Sequence, residues 1–188
     1  MTLKRPKKNR ISKHHTGRSV QRQSTPKSLR LEGVLSFANV QRLVQKAKTA
    51  GRRVVTTNGS FDILHTGHVS NLAFARGQGD LLIVGINSDG SVRRNKGPGR
   101  PLTPARERAE IVAALRSVDA VFMYDELTPI AWIKLLKPHI HVKGADRTMD
   151  QIVEKEAVES AGGKVVRAPY LKNKSTTGII AKIRLGRL

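Results

Sequence analysis

The 188-residue chain contains no cysteine, so neither a disulfide framework nor a thiolate metal site is open to it. That fits a reducing cytoplasm, where the chain is expected to work. Aromatic residues are scarce at 4%, with a single Trp, and 14 acidic residues stand against 35 Lys and Arg. No apolar run approaches the ~18 residues of a membrane-spanning helix, so none is expected. No apolar stretch follows the basic N-terminal residues, and a secretory signal is likewise not expected. The shortage of acids leaves a formal net charge of +21, which makes polyanions the natural partners: nucleotides, nucleic acid or an anionic surface.

The charge is unevenly spread. Residues 1–31 carry ten Lys and Arg and no acid, which leaves +11 for the remainder. This polar stretch has too few large apolar side chains to offset the entropy of ordering. Residues 1–35 therefore read as a basic, disordered tail. It serves as a solubilising arm, as a nucleic-acid contact without interleaved aromatics to stack on bases, or as a Ser/Arg-rich transit peptide. Residues 36–188 read as one domain, long enough to bury an adequate core.

From Ser36 a helical spacing begins (Phe37, Val40, Leu43, Val44, Ala47) and Gly51 ends it. RRVVTTNG reads as a strand closed by a turn, Thr66–Arg76 as a helix with Val69, Leu72, Ala73 and Ala75 inward, and DLLIVGINSD as a strand buried on both faces. Thr103-Pro104 has the form of an N-cap followed by a first-turn proline, opening a helix through Ile111, Leu115 and Val118. DAVFMY is a third strand. TPIAWIKLLK is a helix stopped by Pro138, and HIHVKG a fourth strand in which His139 and His141 read as filler. Met149–Ser160 is a helix, GGKVVRAP a fifth strand and STTGIIAKIRL a final helix. Strand–helix alternation of this kind predicts a Rossmann-like, doubly wound five-stranded parallel α/β sheet. An exposed apolar strip at Ile130, Trp132, Ile133 and Leu136 would favour a homodimer.

Ligands of such sheets bind beyond the C-terminal strand ends. The segment NGSFDILHTGH, residues 58–68, follows the first strand directly. Zinc would need a third ligand beside His65 and His68, and the i, i+4 spacing of a zincin helix is absent. No G-x-S-x-G elbow surrounds Ser60, so a serine triad is not indicated. Packing histidines remain a plain alternative. Phosphate binding fits best: a helix start offers free N–H groups, His65 and His68 share a face, and Gly59 and Gly67 permit close approach. Ser175, Thr176 and Thr177 cap the final helix behind Lys172 and Lys174 and offer a second anion site. Gly97-Pro98-Gly99 forms a loop bearing Arg93, Arg94, Lys96 and Arg100 on the same side of the sheet, able to close over a triphosphate.

The ordered set TNGSFD-ILHTGH, NSD, RPLTPARER, VKGAD and STT resembles the H-x-G-H nucleotidyltransferase superfamily. Within it, the set is similar to the heptose 1-phosphate adenylyltransferase half of bacterial heptose kinase/nucleotidyltransferases, over nearly everything from residue 36 to 188. That resemblance implies transfer of AMP from ATP, with Mg²⁺, to D-glycero-β-D-manno-heptose 1-phosphate. A cytidylyltransferase or another acceptor such as glycerol 3-phosphate is the nearest rival, and a basic nucleic-acid-binding module is a rival of another class. His65, His68 and Lys96 would be catalytic. Asn58, Gly59, Ser60, Phe61, Gly67, Arg100, Asp146, Ser175, Thr176 and Thr177 would bind the nucleotide and its phosphates, and Asp62 the acceptor. No metal ligand from the protein is assigned. The kinase of the bifunctional relatives would be a separate protein. The sequence departs from the pattern in Ser60, where Cys is usual, and in Arg147, where an aromatic is common.

Overall fold

The computed structural model describes residues 33–144, 148–171 and 174–186. Their sheet has five strands, all parallel: β1 (Val54–Gly59), β2 (Leu81–Asn87), β3 (Ala120–Tyr124), β4 (Ile140–Lys143) and β5 (Lys164–Arg167). They lie in the order β3-β2-β1-β4-β5, so the winding reverses between β1 and β4. The tail boundary shifts slightly from the sequence reading. Gly33 and Leu35 already hydrogen-bond Val121 and cover the outer edge of β3.

Alternate side chains of the strands feed two cores. Val54, Leu81, Ile83 and Phe122 pack on one face against α1 (Phe37–Thr49) and α5 (Ile130–Leu136). Val55, Leu82, Val84, Ile86 and Val121 pack on the other against α2 (Thr66–Arg76) and α4 (Ala105–Ala113). Burial on both faces explains why β2 reads as an unbroken apolar run. Gly85 interrupts it because the rings of Phe122, Tyr124 and Trp132 occupy the space beside it; a Cβ there would stand 3.2 Å from the Trp132 and Tyr124 rings.

Several elements differ from the periodicity. On α2, Leu72 and Ala75 point inward but Val69 and Ala73 are exposed. The helix after Thr103 begins at Ala105, with Pro104 as its N-cap at an extended ψ of 147°. Thr103 is held in the loop, its N–H donating to Asp62 and its carbonyl accepting from Arg108. That helix ends at Ala113, leaving Leu115 and Val118 in a turn and Ile111 exposed. Helix α5 ends where Lys137 adopts a left-handed φ of +48°, one residue before Pro138, and Lys48 donates to the carbonyl of Leu136 at 2.8 Å. Residues 149–160 do not form one helix. A 3-10 turn (Met149–Gln151) gives way at extended Ile152 to the short α6 (Lys155–Glu159). Arg93, Arg94 and Lys96 lie on a helix, α3 (Asp89–Lys96), not on a loop. A final helix, α7, spans Thr176–Arg184.

The strip proposed for dimer contact is core: Trp132, Ile133 and Leu136 are buried, with Trp132 edge-on to Phe122 at 5.2 Å. It gives no support to a dimer. Among the described residues no helix is long and apolar enough to cross a membrane. Trp132→Ala is expected to lower stability by about 3–5 kcal/mol. A urea melt should show a lower midpoint at unchanged slope, and sedimentation an unchanged oligomeric state.

Candidate active site

The reversal between β1 and β4 opens a cleft of about 510 Å³ at the C-terminal strand ends. Asn58, Gly59, Ser60 and Phe61 enter it from β1, His65, Gly67, His68 and Asn71 from the start of α2, and Lys143 and Gly144 from β4. Lys96 and Arg100 line one flank, and Lys174, Ser175, Thr176 and Thr177 another. Among the described lining residues there are four Lys or Arg and no Asp or Glu. Such a lining has a positive potential, which favours an anion.

The two histidines stand together. His65 is the N-cap of α2, with no side-chain capping bond, and its ring stacks on that of His68 with centroids 3.8 Å apart and planes 20° from parallel. Gly67 permits this: a Cβ there would lie 2.9 Å from His65 Nδ1 and 3.1 Å from Lys174 Cβ. The glycine thus allows the imidazole and the start of α7 to close together, in addition to the ligand approach read from the sequence. Phe61 backs the pair, its ring 5.1 Å from that of His68, and accepts a left-handed φ of +45° to do so. Gly59 leaves room for the same ring; a Cβ there would lie 3.0 Å from it.

Both Nδ1 atoms are buried without a hydrogen bond, which leaves Nε2 of each ring as the nitrogen for a ligand. Burial and the Lys174 ammonium lower the His65 pKa. Burial, His65 and Lys96 bring His68 down to about 4. These shifts leave both imidazoles neutral near pH 7, and a polyanion beside them would reverse that bias.

Ser60 is gripped from two sides. Its hydroxyl accepts from Lys96 Nζ at 2.9 Å, and its carbonyl accepts from the guanidinium of Arg108. Arg108, fully buried, also donates to Thr103 O, to Asn87 O and to Asp89 Oδ1, each at 2.8 Å. It ties the ends of β1 and β2 to α3 and α4. Sequence reasoning missed it because an arginine on an amphipathic helix reads as a solvated residue. Ser175 caps α7, its Oγ accepting from Gly178 N at 3.0 Å, while Thr176 Oγ1 reaches Ile63 O at 3.4 Å. The side chain of Asn58 is engaged below the cleft, by Lys143 and Tyr124.

Asp62 is a correction. It is buried at 3% exposure, with Oδ1 accepting from the backbone of Leu102 and Thr103 and Oδ2 paired with Arg100 Nε at 2.5 Å. Its carboxylate braces the loop that carries Arg100 and does not line the cleft, so it is not placed to bind an acceptor. Asp146, Lys172 and the basic tail lie outside the described residues. The filler reading of the β4 histidines also gives way. His139 Nδ1 accepts from Val54 N at 2.9 Å, and His141 is fully buried in a polar network.

A parallel sheet with its cleft at the reversal, helix starts facing that cleft and an H-x-G-H histidine pair within it define a nucleotidyltransferase-type α/β domain. The profile of the Cytidylyltransferase-like family matches residues 56–181, and the chain belongs to that family. Among curated relatives, the chain is 51% identical over 155 residues to the Bifunctional protein HldE of Mesorhizobium japonicum, covering 82% of this chain and 31% of that one. It is 54% identical over 144 residues to the Bifunctional protein HldE of Geotalea uraniireducens, covering 77% and 29%. The chain thus spans under a third of the length of these relatives. Among solved structures, the lipopolysaccharide core biosynthesis protein from Thermoplasma volcanium matches with a TM-score of 0.57 at 28% identity, covering 65% of this chain and 100% of that one.

Two outcomes are expected. Arg108→Leu strips Asp89 and three carbonyls of their partner, and should cost roughly 3 kcal/mol of unfolding free energy in a denaturant melt. Inorganic tripolyphosphate should bind with net proton uptake at about pH 5.5, because an anion raises imidazole pKa values that burial has lowered. Calorimetry in buffers of different ionisation enthalpy measures the uptake, and His68→Asn should reduce it.

Proposed function

We propose that this domain transfers AMP from ATP to D-glycero-β-D-manno-heptose 1-phosphate, giving ADP-heptose and pyrophosphate. The observation that carries the transfer chemistry is the stacked His65–His68 pair at the start of α2, in a cleft lined by Lys96, Arg100, Lys143 and Lys174 and by no carboxylate among the described residues. The choice of sugar rests on the likeness to the bifunctional HldE proteins and on the motif set from NGSFDILHTGH to STT.

The acceptor phosphate is already an anion at neutral pH, so a cleft without a general base suffices. One of its oxygens attacks the α-phosphorus. A P–O bond forms there, the bond to the bridging oxygen of the leaving group breaks, and pyrophosphate departs in line. Negative charge accumulates on the phosphoryl oxygens, and Nε2–H of His65 and His68 stabilises it. The capped start of α7, with Ser175, Thr176 and Thr177, takes the departing phosphates. Mg²⁺ carried by the ATP would supply charge neutralisation; the described lining residues, lacking a carboxylate, suit a metal held by the substrate. A sugar kinase supplies the acceptor, in the same assembly or as a separate protein, in a cytoplasmic pathway.

The test is direct. Protein, heptose 1-phosphate and Mg²⁺ are mixed with each NTP in turn, and pyrophosphate is measured. ATP should support turnover, and the His65→Ala/His68→Ala double variant should lose at least about 10³-fold in rate. Turnover with CTP alone would transfer the assignment to a cytidylyltransferase, and none with any NTP would remove the heptose assignment.

A further inference from the structure

The floor of the cleft rests on a chain of polar groups that the phosphate cradle does not use. Lys143, at the end of β4, lines the cleft with its side chain 15% exposed. Its ammonium lies 2.6 Å from Glu154 Oε1 and donates to Asn58 Oδ1 at 3.0 Å. Glu154, 2% exposed just before α6, brings the same Oε1 to 3.3 Å from His141 Nε2. His141, fully buried, has Nδ1 2.8 Å from Thr56 Oγ1. Asn58 in turn donates from Nδ2 to the hydroxyl of Tyr124 at 2.8 Å.

Burial lowers the His141 pKa despite the Glu154 contact, so its ring is neutral; Nδ1 meets Thr56 Oγ1, and Nε2 lies 3.3 Å from Glu154 Oε1 without hydrogen-bond alignment. Burial pushes Glu154 up, but the His141 contact and the Lys143 charge outweigh it and hold the carboxyl at about 2. Removing a carboxylate and an ammonium from water seldom stabilises a fold more than apolar residues of like volume would. A buried pair that surfaces at one end only, in the cleft, therefore points to a use there. An ammonium has three donors. Asn58 Oδ1 accepts from one, the Glu154 carboxylate holds the charge at 2.6 Å without an aligned hydrogen bond, and the side chain borders the cleft.

We propose that Lys143 contacts a phosphoryl oxygen of the bound nucleotide through an N–H that Asn58 does not take, and that Glu154 and His141 are positioning residues that hold that ammonium on the floor between β1 and β4. This rests on the nucleotidyltransferase reading. It adds a binding residue outside the histidine pair and the helix caps, and gives β4 a part in ligand binding.

MgATP binding is measured by calorimetry on the full chain for wild type, Lys143→Met, Glu154→Gln and the two combined, with melting temperatures recorded alongside. Lys143→Met should weaken binding by about 10–100-fold, the range for a lost hydrogen bond to a charged group. Glu154→Gln should weaken it by about 10-fold alone and by nothing further beside Lys143→Met, because it acts only through the lysine. The double variant removes both charges together and keeps the fold testable should either single variant unfold. Binding to Lys143→Met equal to wild type would overturn the proposal. So would a Glu154→Gln loss that persists undiminished in the Lys143→Met background. A wild type that binds no nucleotide would overturn the nucleotidyltransferase reading as well.

Discussion

All strands of the sheet run in one direction, and everything else in the domain follows from that constraint. Parallel strands demand crossovers, and helices therefore cover both faces. The same constraint puts every C-terminal strand end at one edge. Where the winding reverses, between β1 and β4, the covering helices diverge and leave the cleft. The loop after β1 leads straight into α2, so the histidines at that helix start reach the cleft with little intervening chain.

The cleft is cationic by composition and neutral at its centre. Lys and Arg ring it, while His65 and His68, half-buried and pressed together, are pushed toward the uncharged form. Such a pair does not repel itself in the empty site. An anion placed beside it would raise both pKa values. Phe61 and Gly67 bring this about by ring packing on one side and an absent side chain on the other.

Beneath the cleft, two buried networks hold its walls at fixed distances. Arg108 joins the β1 and β2 ends to the α3 side, and Glu154 with His141 joins β4 to α6. Both replace water by oriented partners, which keeps the cleft walls from reorganising. Asp62 belongs with them. An acid close to H-x-G-H in sequence invites a substrate role, yet its carboxylate is spent on Arg100 and two backbone amides.

The strands, α1, α2, the final helix and the segments that line the cleft after β1 and at the start of α7 were legible in the chain, because each rests on neighbours in sequence: a period of two or 3.6, a capping serine, a glycine beside a histidine. What local pattern could not show was partnership across the fold. Arg108 stands in RPLTPARER as one basic residue among several, and only the packed ends of β1 and β2 supply its acceptors. His141 looked like filler until Glu154, thirteen residues on, came beneath it. Residues 149–160 looked like one helix, but the buried Ile152 is extended and separates a 3-10 turn from the short α6. The strip at Trp132 looked like an interface until the sheet covered it. By itself the sequence determined the fold class and the surplus of positive charge, since both are written in residue type and spacing. Only the tertiary structure decided which charges face the cleft and which brace it, because burial and pairing are properties of segments far apart in the chain.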